Sequence, residues 1–226
     1  MNKRLLAVLF AAVIGCTAFT GCGNGKKNSS GNKENDGSAD KNFSEYVGDA
    51  YENPDASIKS EDIGEAEYIN AVNTFIEGVN TDNARLYESV IHTDEQLKAA
   101  FELFASHGES DFETAYFESI QGEIDRAKET LASDKGCGEN IKYSFAAAEA
   151  YSVTDKAVKA YEKSYNDNKG ANMPEYKLSA AYVVKGTMTA AGSTGEYSGE
   201  FLFIFVKLDS GEVLIHPYST PVDFAE

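Results

Sequence analysis

Tryptophan is absent from this 226-residue chain, proline occurs four times and cysteine three times. Arginine is confined to Arg4, Arg85 and Arg126. Each shortage closes a class of function. With 37 acidic against 20 basic side chains and a formal charge of -17, the chain has no basic surface for phosphate backbones, and nucleic acid is not an expected partner. The same acidity disfavours adsorption of the folded body to anionic lipid head groups while keeping it soluble. Three cysteines build neither a disulfide framework nor the four closely spaced ligands of a structural zinc site. What is present suffices for a core: 42% of residues are apolar, enough for one domain or at most two.

The N-terminus places Lys3 and Arg4 before the apolar run Leu5 to Ile14, and small residues follow up to Thr20-Gly21-Cys22. This is the n-region, h-region and cleavage site of an export signal. The run is broken by Gly15, Cys16, Thr17 and Thr20, so it falls short of the roughly 17–25 residues that cross a bilayer. Phe19-Thr20-Gly21-Cys22 resembles the lipobox of bacterial lipoproteins, with Phe19 where that family more often has Leu. The resemblance implies cleavage after residue 21, a diacylglycerol thioether on Cys22, and residence on the extracytoplasmic face of the cell membrane. Val13-Ile14-Gly15-Cys16 is a second, less suitable lipobox. Two acyl chains hold a protein far more firmly than one. With Cys22 acylated and Cys16 removed, Cys137 is left alone in a glycine-flanked, acidic turn and reads as a spectator thiol.

Three segments follow: a signal peptide over 1–21, a lipidated cysteine and linker over 22–62, and one globular domain over 63–226. Residues 23–42 hold no apolar side chain larger than alanine, too little to offset the entropy of ordering them. From residue 64 the pattern is helical. Ala66, Ile69, Val72, Phe75, Ile76 and Val79 predict a helix over 65–79, ended by Asn80-Thr81-Asp82-Asn83. Asp82 is expected to cap a second helix carrying Leu86, Tyr87, Val90 and Ile91, and Thr93 with Gln96 has the form of a capping box opening a third. A fourth, over 111–133, carries Gly122 at its centre.

Beyond the turn at 136–139 the period changes to two. Ile141, Tyr143, Phe145, Ala147, Glu149, Tyr151 and Val153 predict the inward face of a strand. A short helix runs from Thr154-Asp155 to about Asn166, broken at Asn168-Lys169-Gly170. Strands over 176–190, 196–208 and 212–218 complete the chain, joined by turns short enough to make neighbours antiparallel. In 196–208, Phe201, Phe203 and Phe205 alternate with Leu202, Ile204 and Val206, so both faces are apolar, as in a central strand. The expected fold class is α+β: N-terminal helices packed on a curved antiparallel sheet of about four strands. The opening helix with its Asn80-Thr81-Asp82 break and the closing hairpin, 201–208 followed by 209–215, resemble the nuclear transport factor two-like, or cystatin-like, cone. The extra helix within 93–133 departs from it. The resemblance implies a pocket between sheet and helices.

Searches for chemistry give no catalytic constellation, no metal site and no cofactor motif. G-x-S-x-G, P-loop and H-E-x-x-H patterns are absent, and Asn166 to Gly170 fails the register of a calcium loop. His92-Thr93-Asp94-Glu95 reads as a helix N-terminus as readily as a set of metal ligands. His107 reads as a helix end, His216 as solvated or core-satisfied. Candidate pocket-lining residues are Tyr143, Glu149, Tyr151, Tyr182, Phe203 and Phe205, with core packing as the plain alternative. In cone-fold isomerases an acid and a tyrosine share such a pocket, and the resemblance nominates Glu149 with Tyr151 or Tyr182 for those roles. The expectation is a membrane-tethered, non-enzymatic module for an unknown protein or small ligand. The alternative is a small-molecule isomerase or hydratase.

Overall fold

Helix α1 (Glu65–Asn80) forms where apolar residues recur at three- and four-residue steps, and it buries Tyr68, Ala71, Val72, Phe75 and Val79. The computed structural model describes residues 65–168, 173–216 and 224–225. The signal segment, Cys22 and the linker lie outside the described residues, as do the expected break at Lys169-Gly170 and residues 217–223. The Asn80 side chain ends α1 by bonding the backbone of Tyr143 in both directions, donating to its carbonyl at 2.9 Å and accepting from its N–H at 2.7 Å.

Asp82 does not cap the next helix. It takes a left-handed backbone conformation with φ 55°, and its carboxylate pairs with Lys128. The cap of α2 (Ala84–Glu88) is Asn83, whose side chain accepts from Leu86 N at 3.0 Å. At Gly78 a Cβ would sit 2.6 Å from Tyr87 N, so α1 and α2 meet backbone to backbone and only glycine fits. Thr93 caps α3 (Asp94–Ser106) as expected, accepting from Gln96 N at 3.1 Å. The box is only half made, because the Gln96 amide donates to Pro174 O at 3.3 Å. Helix α4 (Phe112–Ser133) runs unbroken through Gly122, burying Tyr116, Ile120, Ile124, Ala127 and Leu131.

The remaining elements are β1 (Lys142–Ser152), α5 (Asp155–Asn168), β2 (Leu178–Ala191), β3 (Glu196–Leu208) and β4 (Val213–Ile215). The strands form one antiparallel sheet in the order β1-β2-β3-β4. The fold is therefore α+β, and β3 is an inner strand. The first and last strands are shorter than the sequence predicts.

In β1 the expected alternation breaks. Ala147 lies opposite Gly186 but Glu149 lies opposite Lys185, leaving Ala148 as the extra residue of a β-bulge. A bulge reverses the phase of every later side chain. Ala150 is buried in consequence, and Glu149, expected to face inward, is exposed. Across from the bulge, a Cβ on Gly186 would collide with Ala146 O and the Phe145 ring.

The two faces of the sheet carry different side chains. Tyr143, Tyr182, Val184, Met188, Phe201, Phe203 and Phe205 pack with α1, α2 and α4. On the other side, Ala181, Val183, Ile204, Val206, Leu208 and Leu214 pack beneath Ala157, Val158 and Tyr161 of α5.

Candidate functional site

Four of the six residues nominated from sequence lie inside the core. Tyr143 is 3% exposed, Tyr182 6%, and Phe203 and Phe205 0%. Phe203 meets Phe75 and Phe145 edge-on, with centroids at 5.1 and 4.9 Å, and Phe205 lies 5.7 Å from Tyr68. Such edge-to-face pairs are favourable packing in their own right. Burial pushes the Tyr143 hydroxyl up. The other two nominees, Glu149 and Tyr151, do meet, the Tyr151 hydroxyl donating to the Glu149 carboxylate. They do so at the surface beyond the bulge, apart from Tyr143 and the two phenylalanines.

An open groove lies elsewhere, among α2, α3 and α4, with a volume of about 640 Å³. Helix α3 contributes Asp94, Leu97, Lys98, Phe101, Glu102 and Ala105. These positions step by three and four residues, which places them in one stripe. Arg85 and Ser89 also line it, as do Glu113 and Phe117 of α4. Phe101 is half-buried and is held from beneath by Phe112, Tyr116 and Phe117 at centroid distances of 6.1, 5.8 and 5.8 Å. Arg85 stands over the Phe117 ring at 4.1 Å and pairs with Glu113 at 2.8 Å.

Beneath this floor is a buried polar cluster. Tyr116 donates its hydroxyl to Glu88 Oε2 at 2.8 Å, and His92 Nε2 stands 3.8 Å from the same oxygen. Glu88 is 3% exposed, His92 9% and His216 1%. Burial raises Glu88 to about 7, with Glu123 adding to the effect and the Tyr116 hydrogen bond opposing it. Burial lowers His92 to about 4, and burial together with His92 lowers His216 to about 3. Between those values Glu88 and His92 form a neutral pair, not an ion pair. His216 packs against Tyr161 and Tyr165 of α5 at 6.2 and 5.4 Å, and its backbone N–H donates to Ile204 O at 2.7 Å. The neighbouring Ile215 N–H donates to Val90 O at 2.6 Å. The last strand thus joins the sheet to the turn between α2 and α3.

Comparison with known proteins is silent. No family model matches the chain, and no curated protein or solved structure is significantly similar to it. Among the described residues, no helix is long and apolar enough to cross a membrane, and no three His, Cys, Asp or Glu side chains converge as metal ligands. His92 turns inward while Asp94 and Glu95 stay exposed, so that tripartite reading separates. His107 ends α3, its Nδ1 2.8 Å from Leu103 O. Cys137, expected in a flexible turn, is fully buried with its thiol 3.6 Å from Ala190 O.

Sequence reasoning passed over Glu88, although a signal existed. Ala84, Tyr87, Glu88, Ile91 and His92 step by three and four, and all five are buried. An acid and a histidine within an apolar helical stripe mark a polar cluster inside the fold.

Proposed function

We propose that the chain is a lipoprotein, cleaved before Cys22, acylated there and held at the extracytoplasmic face of the cell membrane, where the domain over 63–226 acts as a binding module. The lipobox-like Phe19 to Cys22 supports the anchor, and the apolar-poor linker over 23–42 supports a domain held away from the lipid. The cone-like reading draws support from α1 on the aromatic face of the sheet and from the order β1, α5, β2, β3, β4.

One observation carries the binding role: the groove of about 640 Å³, floored by Leu97, Phe101 and Phe117 and rimmed with charge. Its volume falls within the roughly 300–1,000 Å³ of ligand sites, and an apolar floor with a few polar groups is their usual chemistry. Metabolic labelling with a fatty-acid analogue tests the anchor: the wild type takes up label and Cys22→Ala does not. Label retained in that variant would overturn the assignment. A thermal-shift screen tests the groove, since ligands that stabilise the wild type should lose their effect on Phe101→Ala.

The isomerase or hydratase alternative is favoured by one arrangement, the acid and tyrosine of Glu88 and Tyr116. Both are buried beneath the groove floor, 3% and 1% exposed, so a substrate would have to displace Phe101 to reach them. Turnover abolished by Glu88→Gln without loss of folding would decide for it.

A further inference from the structure

We propose that the groove between α2, α3 and α4 receives a basic amphipathic helix from a partner protein. This rests on the groove being the binding surface and adds the chemistry of what it binds.

The shape argues for an elongated occupant. The α3 stripe from Asp94 to Ala105 is about 17 Å long at the helical rise, and its apolar members Leu97, Phe101 and Ala105 are spaced four apart. That is a helix seam: Leu97 is buried at its base, while half-buried Phe101 and exposed Ala105 leave apolar surface open, with the charges of Asp94, Lys98 and Glu102 alongside. Such a seam is matched by the apolar face of another helix.

Charge argues for a basic one. Asp94, Glu102, Glu109 and Glu113 line the groove against Arg85 and Lys98. Arg85 is committed to Glu113, and Lys98 lies 4.0 Å from Glu102. Asp94 and Glu109 have no ion-pair partner among the described residues, and Glu212 from the β3–β4 turn adds a further acid near Asp94. The protein already shows how this surface holds a cation, because the Arg85 guanidinium rests on the Phe117 ring while Glu113 closes on it. A lysine or arginine flanking the apolar face of an incoming helix would meet the carboxylates of Asp94 and Glu109 on the groove lining. The overall charge of -17 favours encounter with such a partner and opposes a second copy of this chain.

The test uses the acylated full chain in neutral phosphatidylcholine nanodiscs, titrated by fluorescence anisotropy with labelled synthetic helices about four turns long. One is a leucine/lysine amphipathic sequence, one its leucine/glutamate counterpart and one a scrambled leucine/lysine sequence. The first is expected to bind, and the other two to bind at least about tenfold more weakly. Phe101→Ala and Ala105→Lys should each weaken it about tenfold, the second at an exposed position where folding is not at stake. Asp94→Asn with Glu109→Gln should weaken it several-fold and flatten its salt dependence.

Equal binding by the three peptides, or leucine/lysine binding indifferent to all these variants, overturns the inference. An apolar dye whose binding responds to Phe101→Ala, with no peptide effect, removes the basic helix but keeps the groove as a site. Indifference of both dye and peptides removes the groove as well. Concentration-dependent self-association lost in Ala105→Lys would assign the groove to a second copy and overturn the proposal.

Discussion

The two faces of the sheet solve the same problem with different materials. Toward α1 the strands present Tyr143, Tyr182, Phe201, Phe203 and Phe205, and the helices answer with Tyr68, Phe75, Tyr87 and Tyr116. Toward α5 they present Ala181, Val183, Ile204, Val206 and Leu214, mostly aliphatic, under a single helix. Aromatic rings give depth, so the first face supports several helices, and the ring contacts continue outward through Tyr116 to Phe101 at the groove. β-Branched side chains give a thin, tightly fitted layer, and one amphipathic helix covers it. The groove lined by α3 and α4 sits on the thick side, at its outer margin and away from the strands.

The largest test of that contrast is a pair of truncations on neighbouring residues of β3. Phe203→Ala should cost about 4 kcal/mol and Ile204→Ala about 3 kcal/mol in urea unfolding. The reverse order would mean that the aliphatic layer, and not the aromatic one, dominates the core.

The corner where the faces meet, at Glu88, His92 and His216, gives the next effect. Glu88 has a folded value near 7 against 4.5 for the free group. The folded state therefore holds its proton more tightly, and stability is lost as pH rises between those values. The histidines run the other way, near 4 and 3 when folded against 6.5, so stability is lost as pH falls below about 6.5. Glu88→Gln keeps an acceptor for Tyr116 and removes the first loss. It should stabilise the protein at pH 8 relative to pH 5 by up to about 3 kcal/mol, read from melting temperature across pH. An unchanged profile would place Glu88 in contact with water.

Two smaller effects probe the helices' attachment. Asn80→Ala breaks both bonds to Tyr143 and should cost about 2 kcal/mol, with chemical-shift changes centred on the start of β1. Asn83→Ala removes the α2 cap, for about 1 kcal/mol. If it cost more than Asn80→Ala, the short α2 would depend on its cap more than α1 does on its anchor to the sheet.

Periodicity made much of the architecture legible. The opening helix, the Thr93 cap, the unbroken 196–208 strand with both faces covered and the antiparallel order all follow from residue spacing. The candidate site was less legible, for two physical reasons. Alternation in β1 carries information only while the register is regular. One extra residue, Ala148, put Glu149 outside with no change in composition to announce it. The groove arises where α3 and α4 pack against each other, and Phe101 and Phe117 are ordinary core candidates until their partners are placed. Which apolar stripe of α3 stays uncovered depends on how the helices cross, a property of the assembled fold and not of either segment.

The connections between strands differ greatly in reach. β2 and β3 are joined through residues 192–195, whereas β1 meets β2 only after the connection over 153–177, which includes α5. Closing a longer loop exacts more chain entropy before any contact repays it. The β2–β3 hairpin is thus the natural nucleus of assembly, with β1 arriving late and bringing α1 with it through Asn80. On that order, a nascent chain released with its last fifty residues unfinished would hold its helices without a surface to settle on, and their apolar faces would be open to sticking to its neighbours.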